Sequence, residues 1–111
     1  MLFCFTANYA PSALNAAMDN PTTSRVAAAT QLIEAAGGKL VAMYGTVIDG
    51  PGAMVIFDVP DPASAAAISG VATASGAMHN VKLQRLLSPD ELVNIRTKAA
   101  QLRSAYKAPG Q

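Results

Sequence analysis

The residues best suited to acid–base chemistry are His79, the only histidine in the chain, and Arg85, six positions further on. A histidine can act as a general base near neutral pH. An arginine on an inner strand face can anchor a carboxylate or a phosphate. Strict alternation along a strand places both side chains on one face, together with Val81 and Leu83. His79 and Arg85 are therefore the candidate catalytic residues.

Each of the two also has a purely structural interpretation. His79 would then be a hydrogen-bonded core or edge residue, and Arg85 would form a salt bridge with Asp49 or Asp58 at the end of the sheet. No cluster of His, Cys and carboxylates occurs at ligand spacing, so we expect no metal site, and no cofactor fingerprint is present. The single Cys4 lies in an apolar run and is expected to be a buried hydrophobic residue.

Four more polar side chains occur in or at the ends of apolar strands, namely Asn8, Tyr9, Tyr44 and Thr46. A tyrosine ring can be buried while its hydroxyl seeks a partner. Grouped on a sheet face, these residues would line a pocket for a small organic ligand. The alternative is that they hydrogen-bond to backbone groups across the sheet.

Asp49 begins the turn DGPG, residues 49–52, between two predicted strands. Gly50 and Gly52 permit a positive φ, Pro51 fixes its own φ, and Asp49 can cap the turn with its side chain. Turn chemistry therefore explains most of this stretch. The lesser alternative is that the glycines let a ligand approach the backbone, with Asp49 as one of its contacts.

Composition indicates a single domain of 111 residues with a modest core. Ala supplies 23 residues, whereas Leu, Ile, Val and Phe together supply 25. A partner subunit would add the missing burial, so we expect a homodimer or higher homo-oligomer.

The net charge of +1 and the absence of a clustered basic face disfavour nucleic-acid binding. No secretory leader and no apolar run of membrane-spanning length is recognised, which favours a cytoplasmic, soluble protein without a membrane partner.

Patterning predicts an alternating series of strands and helices. The predicted strands are residues 2–9, 39–48, 53–59 and 77–87. Residues 12–20 suggest a helical turn. A first long helix begins at a cap formed by Asn20, Thr22 or Thr23 and stops at Gly37 and Gly38. A second begins at Asp61 and Pro62 and ends at Ser75 and Gly76, and Ser88 and Glu91 form a capping box for a C-terminal helix.

The order β-α-β-β-α-β predicts a ferredoxin-like α+β fold, a four-stranded antiparallel sheet with helices on one face. Residues 1–87 would form this unit, and residues 88–111 a C-terminal amphipathic helix and tail of the same domain. Two strands are apolar on both faces, with Phe57 opposed by Ile56 and Phe5 by Cys4. A sheet covered on one side should be polar on the other. Either the C-terminal helix or a second subunit must therefore cover the open face. We favour sheet-to-sheet pairing, with the helix as an arm.

Two segments resemble the GYD-domain family of small ferredoxin-like proteins. They are EAAGGKL followed by AMYGT, residues 34–40 and 42–46, and AMVIFDVPD, residues 53–61, together with the opening FTANYAPSAL. The resemblance covers about residues 1–92. It implies a dimeric α+β barrel, a group that includes ligand-binding proteins, monooxygenases and lactone isomerases. The Gly-Tyr-Asp triplet of the family's hairpin is replaced here by residues 49–52, so no role of that triplet carries over.

Three functions remain open from the sequence. The first is a homo-oligomeric protein that binds a small organic ligand on the sheet face. The second is a cofactor-independent monooxygenase or isomerase, with His79 as base, Arg85 as anion anchor and Tyr9 or Tyr44 as proton relay. The third is an adaptor that docks through its C-terminal helix. The small number of titratable groups in the expected pocket favours binding.

Overall fold

The computed structural model describes residues 1–111 and confirms the predicted α+β architecture. The chain runs β1 (Leu2–Tyr9), α1 (Pro11–Asp19), α2 (Arg25–Ala35), β2 (Lys39–Val47), β3 (Pro51–Asp58), α3 (Pro62–Ala74), β4 (Met78–Leu86) and α4 (Pro89–Leu102), followed by a 3-10 turn, Arg103–Ala105. The strands form one antiparallel sheet in the order β2-β3-β1-β4. This is the ferredoxin-like order, with α1 and α4 as additions. None of the helices is both long and apolar enough to cross a membrane.

Local capping signals explain where most helices begin. The Asp61 carboxylate accepts a hydrogen bond from the Ser64 backbone N–H at 2.7 Å, and Ser88 and Glu91 form the predicted reciprocal capping box. The predicted cap of α2 is wrong: the Ser24 hydroxyl accepts from the Ala27 N–H at 3.3 Å. The residues from Asn20 to Thr23 instead form a turn after α1, which is a full helix that begins at Pro11.

The core lies between the sheet and helices α2 and α3. One sheet face, here called the covered face, carries Phe3 and Phe5 of β1 and Val55 and Phe57 of β3. The Phe3 and Phe57 rings stack with their centroids 6.1 Å apart. Ile33 of α2, together with Ala65 and Ile68 of α3, packs against this face. The chain buries 11 of its 111 residues, so the monomer core is small, as the alanine content predicts.

The opposite face, here called the open face, has no helix against it. Residues that are paired across antiparallel strands share a face, and the register forms four rows there: Thr46-Gly52-Asn8-His79, Tyr44-Met54-Thr6-Lys82, Ala42-Ile56-Cys4-Gln84 and Lys39-Asp58-Leu2-Leu86. Cys4 is buried among these side chains, and desolvation raises the pKa of its thiol. The prediction that strands β1 and β3 are apolar on both faces is therefore confirmed.

A bulge in β4 changes the face to which its first residues belong. Asn80 has a φ of 54°, and the pairing with β1 shifts between Thr6 and Asn8. Beyond the bulge Arg85 pairs with Phe3 on the covered face, whereas His79 pairs with Asn8 on the open face. The prediction that His79 and Arg85 share a face is wrong, because it assumed uninterrupted alternation.

Helix α4 and the 3-10 turn project from the body as an arm, residues 89–105. The molecule extends 59 Å along its longest axis, and its radius of gyration is 17.8 Å, against about 13 Å for a compact chain of this length. Helix α4 has no buried residue and no extensive contact with any strand. Its apolar residues Leu92, Ile95 and Leu102 are exposed. The arm therefore leaves its own open face uncovered.

Candidate functional site

An apolar cavity lies between the covered face and helices α2 and α3. Its volume is about 300 Å³, and 15 of its 17 lining residues are hydrophobic. Its floor includes the buried residues Phe5, Ala53 and Phe57 of the sheet, and its walls include Ile33 of α2 and Ile68 of α3. Val71, which is 57% exposed, also lines it and marks an opening to solvent. We call this space the helix-side cavity.

Local sequence explains why the cavity is open. Helices α2 and α3 are rich in alanine, whose short side chains leave the space above the sheet unfilled. The two helices have no extensive contact with each other, because they lie near opposite edges of the same sheet face, α2 beside β2 and α3 beside β4. An apolar concavity of this kind is typical of sites for small organic molecules.

Three side chains bring polar atoms to the lining of the helix-side cavity: Arg25, Ser75 and, among the 15 hydrophobic residues, Tyr9 through its hydroxyl. The Ser75 hydroxyl is engaged in the turn after α3, donating to the Ala72 carbonyl at 2.6 Å and accepting from the Ala77 N–H at 3.2 Å. Neither of the two ion pairs of the protein involves Arg25. Arg25 is the only charged residue of the lining. The cavity therefore combines an apolar body with one cationic group.

A second hollow, of about 390 Å³, lies on the open face beside the β2–β3 hairpin and is more polar. Asn8, Thr46 and Asp49 line it, as do Asn80 and Lys82. Asn8, Thr46 and Asp49 are three of the residues that the sequence analysis proposed for ligand binding. Tyr9 alone of the proposed set lines the helix-side cavity. The proposed ligand residues are thus divided between two faces.

The Asn8 side chain is used to hold the hairpin. Its Nδ2 donates to the carbonyl oxygens of Ile48, at 2.8 Å, and Gly50, at 3.2 Å, and its Oδ1 accepts from Asn80 Nδ2 at 3.4 Å. Asp49 has a φ of 55°, so the turn includes a strained non-glycine residue that these bonds help to retain. The structural interpretation of Asn8, hydrogen bonding to backbone across the sheet, is the one the geometry supports.

A close approach of two strands also explains Gly52 in the hairpin. A Cβ at this position would lie 2.3 Å from the Ala7 carbonyl oxygen and 2.9 Å from Thr46 Oγ1. Glycine is therefore required where β3 passes β1, with no ligand involved.

The remaining candidates, Tyr44, His79 and Arg85, line neither cavity. Tyr44 is 61% exposed on the open face. The Arg85 guanidinium donates to the Glu91 carboxylate rather than to Asp49 or Asp58, and Asp58 instead pairs with the N-terminal amine at 2.8 Å. His79 and Arg85 thus lie on opposite faces and form no common acid–base site.

Nowhere in the structure do three or more His, Cys, Asp or Glu side chains lie together in a way that could hold a metal ion.

Sequence reasoning missed Arg25. The signal was present, because residues 25, 28, 29, 32 and 33 follow the i, i+3, i+4, i+7 spacing of one helix face. The predicted helix begins earlier, at a cap formed by Asn20, Thr22 or Thr23. In the structure Val26 is 50% exposed, whereas Arg25 lines the cavity.

The fold and this pocket define a ferredoxin-like α+β protein with an apolar cavity between its sheet and its helices. The family model of the GYD domain matches residues 3–95, and the chain belongs to the GYD-domain family. The matched region includes β1 from Phe3 onward, the other three strands and the first turns of α4. No curated protein matches the chain.

Proposed function

We propose that the protein binds a small, largely apolar organic ligand in the helix-side cavity and acts as a homo-oligomer. The observation that carries the ligand proposal is the cavity itself: an apolar space of about 300 Å³ over a buried aromatic floor. Sites for small molecules have volumes from about 300 Å³ upward and few polar groups. No imidazole and no carboxylate lines this space, which favours binding over acid–base catalysis.

A second observation supports the homo-oligomer. The open face carries the partly buried side chains of Met54 and Ile56, and neither a helix nor the arm lies against them. The arm also carries exposed apolar residues, among them Ile95 and Leu102. A second copy would cover both surfaces, because paired open faces bury the sheet and each arm can then reach the partner.

Native mass spectrometry of the purified chain tests both parts of the proposal. We expect a dimer or a higher oligomer, and any retained organic molecule would appear as added mass. A monomer at all micromolar concentrations would contradict the homo-oligomer. The absence of added mass would leave the ligand proposal to the probe experiment described next.

The ligand proposal is tested with the neutral fluorescent probe N-phenyl-1-naphthylamine. We expect the probe to bind the wild-type chain, with increased fluorescence. Ala29→Leu should weaken binding about tenfold, because Ala29 lines the cavity and a larger side chain there occupies ligand space. Ala27→Leu is the matched control: it makes the same change on the same helix at an exposed residue outside the cavity lining. Equal effects of the two substitutions, or no probe binding at all, would overturn the assignment.

A further inference from the structure

We infer that the ligand of the helix-side cavity is an amphipathic organic monoanion, whose carboxylate or similar group binds the Arg25 guanidinium while its apolar body enters the cavity. This inference rests on the proposed function, since it names the chemical class of ligand for the same cavity. It adds a specificity-determining residue, Arg25, and a chemical requirement, one negative charge at one end of the molecule.

The first argument is the charge of the lining. Arg25 is its only charged residue, and no Asp or Glu is present to neutralise the guanidinium. Arg25 takes part in neither ion pair of the protein, although Arg85 does. A planar guanidinium with free donors forms paired hydrogen bonds with a carboxylate, so an anionic group is its natural partner.

The second argument is where the charge lies. Arg25 is the first residue of α2 and is exposed, while Ile33, two turns further on, is buried. The cation therefore marks the solvent-accessible end of the cavity, and the apolar part extends inward over Phe5 and Phe57. An anion bound there keeps part of its hydration, which avoids the large cost of burying a charge.

The third argument concerns the other polar groups. The Ser75 hydroxyl already has partners in its turn, whereas the Tyr9 hydroxyl makes no hydrogen bond within the protein. The Tyr9 hydroxyl is therefore available to donate to an oxygen of the ligand. With one cation and one available hydroxyl, the lining can satisfy the polar groups of a molecule that carries a single oxyanion. A dianion or a sugar would need more polar partners than this cavity offers.

The test compares octanoate with octanol, which share an apolar chain and differ in charge. Each competes with N-phenyl-1-naphthylamine on the full chain at neutral pH and low salt. We expect octanoate to compete about tenfold more strongly than octanol, because a hydrogen bond to a charged group is stronger than one between neutral groups. Added salt should reduce the advantage of octanoate and leave octanol unchanged.

Three variants identify the residue. Arg25→Gln should reduce the affinity for octanoate to that for octanol, and Arg25→Lys should restore part of the difference, because it returns the charge without the fork of donors. Arg96→Gln removes the same charge from the arm, at a residue that does not line the cavity, and should retain the wild-type preference.

The outcomes separate the two levels of the proposal. If octanol and octanoate bind equally to the wild type, or if Arg25→Gln preserves the preference, the monoanion inference is overturned while ligand binding in the cavity stands. If neither compound displaces the probe and the probe does not respond to Ala29→Leu, the proposed function fails as well. A lost preference in Arg25→Gln, with unchanged octanol binding, supports the inference.

Discussion

The covered face and the open face of the sheet are built from adjacent residues of the same strands, yet they differ in what lies against them. Phe57 is completely buried beneath the helices, and its neighbour Ile56 is only partly buried on the opposite face. Apolar residues alone therefore do not determine which face becomes the core. The connections decide: both the β1–β2 and the β3–β4 segments carry their helices over the same side of the sheet.

The difference also separates two kinds of incomplete packing. On the covered face the alanine-rich helices leave an internal space, the helix-side cavity, which is suited to a small molecule. On the open face the missing material is an entire layer, which is suited to another protein surface. The arm belongs to the second category, because its apolar residues are exposed in the monomer.

The largest expected effect comes from truncating the covered face. Phe57→Ala should lower the free energy of unfolding by about 3–5 kcal/mol, because it removes a fully buried ring and leaves a cavity. Ile56→Ala, one residue away, should lower the free energy of unfolding by less at low protein concentration, because Ile56 is only partly buried in the monomer. Urea unfolding monitored by circular dichroism measures both.

Phe57→Leu provides a folded alternative if Phe57→Ala does not fold. Protein concentration provides a further comparison of the two faces. The loss of unfolding free energy caused by Ile56→Ala should increase as the protein is concentrated, because an oligomer would bury Ile56. Equal costs for Phe57→Ala and Ile56→Ala at all concentrations would contradict the distinction between the two faces.

The next effect concerns assembly. Met54→Lys places a charge in the centre of the open face and should weaken self-association by at least about tenfold, because an unpaired charge would be buried in the interface. Val26→Lys is the matched control, since Val26 is an exposed apolar residue on α2, away from the open face. Sedimentation velocity measures both variants, and a wild-type association constant in Met54→Lys would exclude sheet-to-sheet pairing.

A smaller effect is expected at the hairpin, where the open face meets the turn. Asn8→Ala removes two hydrogen bonds to turn carbonyls, those of Ile48 and Gly50, and should cost about 1–2 kcal/mol of unfolding free energy. Hydrogen exchange of the hairpin amides should accelerate locally. Asn8→Asp is the informative comparison: it keeps the shape but loses the donor, so it should resemble Asn8→Ala. Wild-type exchange in both variants would show that Asn8 does not hold the turn.

Much of this fold could be predicted because its signals are local. The caps at Asp61 and Ser88 and the turns after α2 and α3 depend on neighbouring residues. The bulge at Asn80, where φ is 54°, could not be predicted, because it arises where the register of β4 shifts against β1, a strand distant in sequence. This bulge places His79 and Arg85 on opposite faces of the sheet, so the prediction that they share a face is wrong.

The candidate site was less predictable for a related reason. Alternation and residue type correctly indicated polar groups on strands, but a cavity forms where two separate helices fail to meet, and no single segment encodes that gap. Arg25 fits the spacing of one face of α2, but this spacing alone does not show that a cavity lies against that face. The partner of Arg85 was likewise missed, because Glu91 was assigned entirely to its capping box, and the structure shows that it serves both interactions.

The smallest expected effect lies at the base of the arm. The hydrogen bond from the Ser88 backbone N–H and, to a lesser extent, the charge of Arg85 lower the pKa of Glu91 below its ordinary value. A carboxyl group with a lowered folded pKa stabilises the fold above its unfolded pKa, and this contribution is lost as the pH falls through the folded value. We therefore expect acidification below about pH 4 to fray the first turn of α4 before the sheet unfolds.

Ser88→Ala should imitate this change at neutral pH, at a cost of about 1 kcal/mol to the helix. Hydrogen exchange of the α4 amides would report it, while the urea midpoint of the sheet should scarcely move in the monomer, because α4 has no buried residue. Ser12→Ala, in the first turn of α1, where no side chain caps the helix, is the control for loss of a helix-start hydroxyl. If Ser88→Ala also lowered the association constant, the arm would be part of the oligomer contact; an unchanged constant would restrict the interface to the open face.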